Sequence, residues 1–175
     1  MSDDLLDFMR ERTAEAAIDG GTLRKQGAPG VVQAARHFMK QIDLNSLSML
    51  KADQFIERLD ELTDQLTAAF PLNARNWGAA RKAINIFLRD ILYHRYLCDH
   101  FGLCHLEPWL EVPLDKDIAL GLRAEPLGSQ LPRWDTIKRL SKSDSENFQK
   151  CAQTVADGKN IARVHLDVIY WRNRP

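Results

Sequence analysis

Apolar residues recur at intervals of three and four along most of this chain, and nowhere do they alternate with period two for long enough to predict a strand. Leu5, Leu6, Phe8 and Met9 open a first helix, with Ser2 as its expected N-cap and Asp3 and Asp4 in the first turn, where the helix dipole favours negative charge. That helix is expected to end at Gly20-Gly21, within a glycine-rich polar loop from Asp19 to Gly30 that carries no packing. After Pro29, the positions of Val31, Val32, Ala35, Phe38 and Met39 predict a second helix ending before Asn45. Asp53 is the expected cap of the next, whose stripe runs Phe55, Ile56, Leu59, Leu62, Leu66, Phe70 until Pro71 stops it. A tight polar turn, Leu72 to Trp77, leads into a long helix in which Ile84, Phe87, Leu88, Ile91 and Leu92 share a face as far as about Phe101, with Gly102 closing it. Pro108 and Pro113 limit helix in the following stretch. From Asp115 a short helix carries Ile118, Ala119 and Leu122, and Leu127 to Pro132 is a connector. Trp134 to Leu140 reads as a short helix, Ser143 to about Ala156 as another, Asp157-Gly158-Lys159 as a turn, and Ile161 to Trp171 as the last helix. The predicted class is all-α, with residues 1–175 forming one domain.

Composition narrows the setting without naming a function. Apolar residues make up 45% and charged residues 27%, an ordinary globular balance with no repeat or low-complexity segment. Lys and Arg together equal Asp and Glu, so net charge gives no global pull towards nucleic acid, and any such partner must be held by a local patch. No apolar run approaches the ~20 residues of a membrane span, so no membrane partner is expected. The acidic start lacks the basic-then-apolar order of an export signal. Cys98, Cys104 and Cys151 are odd in number and widely spread, which suggests free thiols in a reducing, cytoplasmic setting.

The candidate chemistry lies in three pieces. A helix, a tight turn and a second helix can aim unpaired backbone N–H groups at a phosphate. The segment from Asp53 through Pro71, Asn76 and Gly78 has that layout, and Arg75, Lys82 and Arg89 follow at intervals of seven, a basic strip if the helix already includes Arg75. Lys82 stands near the start of the second helix and Asp115 follows Val112-Pro113-Leu114, thirty-three positions later. The third piece is His165-Leu166-Asp167, with Trp171 one turn on.

Gly78 to Asn85, Val112-Pro113-Leu114-Asp115 and His165-Leu166-Asp167 with Trp171 together resemble the helix-hairpin-helix DNA glycosylase superfamily, most closely its archaeal 8-oxoguanine branch. The resemblance spans roughly Asp53 to Trp171. It implies a compact helix-hairpin-helix domain acting on double-stranded DNA that contains a damaged or modified base, as a nucleoid-associated monomer of the cytoplasm. It further implies a base-excision glycosylase with lyase activity, the base being a modified and by resemblance oxidised purine. Lys82 would be the nucleophile and Asp115 the carboxylate that stabilises the cationic sugar and moves protons. Asp167 and Trp171 would hold the flipped base, and Arg75, Gly78, Arg81 and Arg89 would meet the DNA. No cofactor is implied, and the cysteines lack the pattern of four that holds an iron–sulfur cluster. Of the family hairpin's glycines only Gly78 is present, and Ala80 stands where a second would let a phosphate approach closely.

These residue types suit that reaction. A base inside a duplex is out of reach, so the nucleotide must be flipped out. Lys82 attacks only as a neutral amine, which burial and a neighbouring charge such as Arg81 would favour. The alternative roles are structural: Lys82 as a solvated helix lysine, Asp115 as an N-cap, Trp171 as core. A catalytically silent DNA binder of the same fold and a helical adaptor for another protein are the competing functions. Cys98, His100, Cys104 and His105 do not have zinc-ligand spacing, so no metal is expected. Arg133, Lys138, Arg139 and Lys142 make a second basic cluster that would track a DNA backbone or simply solvate a helix.

Overall fold

A computed structural model describes residues 3–23, 26 and 28–172; the expected cap Ser2 lies outside them. Its helices are α1 (Asp3–Ala17), α2 (Val31–Gln41), α3 (Leu44–Ser48), α4 (Ala52–Ala69), α5 (Trp77–Tyr93), α6 (Arg95–Phe101), α7 (Lys116–Ala124), α8 (Lys142–Lys159) and α9 (Leu166–Arg172). Short 3-10 turns lie between some of them, and no strand occurs among the described residues. None of the described helices is long and apolar enough to cross a membrane.

Two apolar clusters form the interior. The first gathers the faces of α1 to α6 around Met39, Phe55, Leu59, Leu66, Ile84 and Phe87. The second joins α7, α8 and α9 around Val112, Ile118, Leu122, Phe148, Ala152 and Leu166. Each fully buried Leu or Phe contributes about 1.5–3 kcal/mol. Helix α5 stands between the two: eleven of its 17 residues are buried, and its first turn is crossed by the 137–140 segment of the second cluster. Asn76 starts α5 by accepting the Ala79 N–H at 3.0 Å.

Several boundaries differ from the periodic reading, each for a local reason. The loop after α1 does carry packing: Leu23 enters the first cluster, and buried Gln26 accepts a hydrogen bond from the Asn76 amide at 2.8 Å. Lys51 rather than Asp53 caps α4; its N–H donates to Gln54 Oε1, and Asp53 lies in the first turn. The helix expected to reach Phe101 breaks at His94, whose extended backbone ends α5 and whose ring caps α6. Gly102 then closes α6 in the left-handed region. Trp134 to Leu140 contains only a 3-10 turn, Ile137–Arg139. Ser141 rather than Ser143 starts α8, and that helix runs through the expected turn at 157–159 until Asn160, at φ 54°, ends it. Helix α9 starts at Leu166, later than the pattern suggested. Cys98 and Cys104, expected as free thiols, are joined in a disulfide that spans the end of α6, and Cys151 alone is free and buried.

Candidate active site

Lys82 is the sixth residue of α5 and points into the seam between the two clusters. Its Nζ lies 3.4 Å from Asp115 Oδ2, with the lysine side chain 14% and the aspartate 25% exposed. The other oxygen of Asp115 accepts the N–H groups of Asp117 and Ile118 at 2.9 and 3.0 Å, so the residue caps α7 with one atom and faces the amine with the other. Capping and a contact with Lys82 coexist.

The segment that delivers Asp115 is pinned from two sides. Gln149 of α8 accepts the Val112 N–H at 3.1 Å and donates to its carbonyl at 2.8 Å. Glu111 grips Arg81 with both oxygens, at 2.8 and 2.9 Å, and accepts from Asn85 at 3.0 Å. Arg81 also donates to Asp60 and Thr63 and lies 5.2 Å from the centre of the Trp77 ring. Burial opposes charge on Glu111, but the Arg81 hydrogen bonds and charge outweigh it and hold the carboxyl below its usual range. Arg163 completes the clamp through the carbonyls of Trp109 and Leu110.

Further along α5, Arg89 and Tyr93 follow Lys82 at seven and eleven positions and share its side of the helix. Arg89 donates Nη1 to Asp167 Oδ2, and Nε and Nη2 to Asp90 Oδ1 at 2.8 and 2.6 Å. Burial raises the carboxyls of both Asp90 and Asp167, even against the pull of Arg89. Asp115 and Lys82 also act on Asp167 through space, which places all three in one electrostatic neighbourhood. A cavity of about 280 Å³ opens here, lined by Arg89, Asp90, Tyr93, Asp167, Val168 and Trp171. Trp171 is 60% exposed at its edge rather than core. Asp90 and Tyr93 are shared with a neighbouring cleft of about 470 Å³ against α1, lined also by Met9, Arg12 and His94.

The residues expected to meet DNA fare differently. Arg81 is 5% exposed and matched by Glu111 and Asp60, so it is neither open to a phosphate nor a bare charge beside Lys82. Arg89 is committed to Asp90 and Asp167. Gly78 is covered by protein: a Cβ there would sit 2.2 Å from the Ile137 carbonyl oxygen, so this glycine serves a close helix approach. Arg75 precedes α5, outside the supposed strip, and is exposed with its Nε on the Phe70 carbonyl at 3.1 Å. Among the described residues no three His, Cys, Asp or Glu side chains are grouped to hold a metal.

Spacing alone did not single out Asp90, or the chain Tyr93–His165–Glu107. The Tyr93 hydroxyl lies 2.9 Å from His165 Nδ1, His165 Nε2 lies 2.6 Å from Glu107 Oε1, and the two rings stack at 5.6 Å. The available signal was Tyr93 at a whole number of turns from Lys82, and the histidine that opens the His-Leu-Asp triplet. Comparison with protein-family models, with curated proteins and with solved structures finds no match to the chain.

Proposed function

We propose that the chain is a DNA glycosylase with a lyase step, which removes a modified base through a Schiff base on Lys82. One observation carries this reading: the amine and the Asp115 carboxylate meet 3.4 Å apart, largely sheltered, and both act through space on Asp167, which with Trp171 lines a cavity that the pair itself does not line. The helix-hairpin-helix glycosylase resemblance had picked out these four residues from separate parts of the chain.

In the proposed reaction Asp115 takes a proton from the Lys82 ammonium, and the neutral amine attacks the anomeric carbon of a flipped nucleotide. The bond from that carbon to the base breaks, and its electron pair leaves with the base. Asp115 then passes that proton to the departing base and, a carboxylate again, faces the positive charge left on the sugar and the bonded amine, a role carboxylates also play at other glycosidic bonds. The imine that follows allows elimination of the 3′ phosphate. Since Arg81, Arg89 and Gly78 are engaged within the protein, the DNA backbone is met by other groups, Arg75 and the exposed basic cluster Arg133, Lys138 and Arg139 among them.

Borohydride trapping on DNA with an abasic site tests the reading. Wild type is expected to give a covalent adduct and Lys82→Gln none, with unchanged thermal unfolding. A wild-type protein that shifts DNA without forming an adduct would instead be a silent binder, and one that does neither would leave the pair Lys82–Asp115 as a structural tie.

A further inference from the structure

Helix α1 buries one stripe, with Leu6, Ala14 and Ala17 in the first cluster, and leaves a second stripe uncovered. Leu5, Phe8, Met9, Arg12 and Ala16 follow one another at steps of three and four, so they share one side of the helix. Phe8 is 68% exposed, a whole ring standing in water. Beside this stripe opens the cleft of about 470 Å³, with Met9, Arg12, Thr13 and Ala16 on one wall and Tyr93 and His94 on the other. Tyr96, also exposed, continues the far wall through its ring contact with His94.

The residue types are those of an interface centre, where Phe, Tyr, Met and Arg are enriched and Lys is depleted; no lysine lines the cleft. Apolar surface gathered in this way marks a contact site more than a solvated face. Arg12 has no hydrogen bond or ion pair among the described residues, which leaves a guanidinium bare beside aromatic rings.

The same face thus carries a projecting ring and an open cleft one helical turn apart. A surface with both plug and socket is complementary to itself, and a two-fold axis satisfies both at once. With that axis midway between Phe8 and Arg12, two copies of α1 cross antiparallel. Each Phe8 then faces the Arg12 of the other copy, a ring under a guanidinium. Charge does not oppose the meeting. The chain has no net charge, so two copies approach without long-range repulsion. Glu11 and Glu15, which flank the stripe, are matched within each copy by Lys40. Nucleic acid and anionic lipid fit the cleft poorly, since Asp90 lines it together with Arg12.

We propose that this α1 face is the interface of a two-fold dimer, in which Phe8 of each copy enters the cleft between α1 and Tyr93 of the other. The dimer differs from the monomer that the glycosylase resemblance implies, and it stands whether or not the chain acts on DNA.

Sedimentation equilibrium of the full chain over about 1–100 µM, a span of ordinary dimer affinities, tests this. Wild type is expected to approach twice the chain mass as concentration rises. Phe8→Asp and Arg12→Glu are each expected to weaken association about tenfold or more, as central anchors do. Both side chains are exposed, so thermal unfolding of the dilute protein should stay unchanged in either variant. Met49, more exposed than Phe8, stands outside the cleft, and Met49→Asp should leave association as it is. A wild type that keeps the mass of one chain throughout would overturn the proposal and leave the face to a different protein. Association that survives both Phe8→Asp and Arg12→Glu would overturn it by placing the contact elsewhere. Equal loss in Met49→Asp would do so by showing unspecific stickiness.

Discussion

Glu111 illustrates how much of this site depends on one buried charge that does no chemistry. It holds Arg81 with two oxygens and Asn85 with one of them, and so ties the segment carrying Asp115 to the helix carrying Lys82. Its carboxyl is held below its usual range in the folded protein. Its contribution to stability is therefore complete above the usual glutamate range and lost as pH falls through the lower folded-state value. Asp90 and Asp167, raised by burial, contribute in the opposite sense, and theirs is lost as pH rises through their folded-state values. The two effects separate in a difference measurement. Glu111→Gln should cost about 1–3 kcal/mol at neutral pH, because hydrogen bonds to a charged group are replaced by neutral ones. Urea unfolding should show that gap between wild type and variant closing as pH drops below the usual glutamate range; a gap independent of pH would mean that Glu111 acts by shape alone. The residue types at the site were legible in the sequence, since a lysine, an aspartate and an indole carry their chemistry in their names. Their partners were not. Glu111 and Arg81 are thirty positions apart, and burial turns what looks like a solvated arginine into the interior half of an ion pair.

At the level of elements, three-and-four periodicity located the helical stripes of α2, α4, α5 and α7, because those faces pack against a core. Where helices stop was less legible. The break at His94 and the three extra residues before Asn160 depend on a ring that caps the next helix and on a left-handed asparagine, and neither leaves a hydrophobic trace. Gly78 shows the same limit from the other side. In the pattern it reads as a hairpin glycine, whereas in the fold its missing Cβ lets the 137–140 segment cross the first turn of α5. Gly78→Ala should cost about 1–3 kcal/mol through forced displacement of backbone. Thermal unfolding should register this as a loss of several degrees, roughly 2–4 °C for each kcal/mol in a chain of this size. A neutral Gly78→Ala would show that the crossing segment yields freely.

The whole molecule divides along the line where its proposed chemistry sits. Two apolar clusters meet at α5, and polar contacts cross between them: Lys82 to Asp115 and Arg89 to Asp167. Such bonds are specific but few, so the halves are expected to open more readily than either melts. Asp167→Asn removes the charge that Arg89 reaches across the seam. Hydrogen exchange should quicken in α7 and α9 while α2 and α4 stay protected, and uniform quickening would mean that the molecule unfolds as one unit. The oxygens of Asp115 give this seam a further property. One anchors the opening turn of α7 while its twin meets the amine, so a hydrogen ion can land on the twin and leave again without the anchor being let go. A working cycle could then repeat many times with the scaffold at rest, its acid–base traffic confined to half of a single carboxylate.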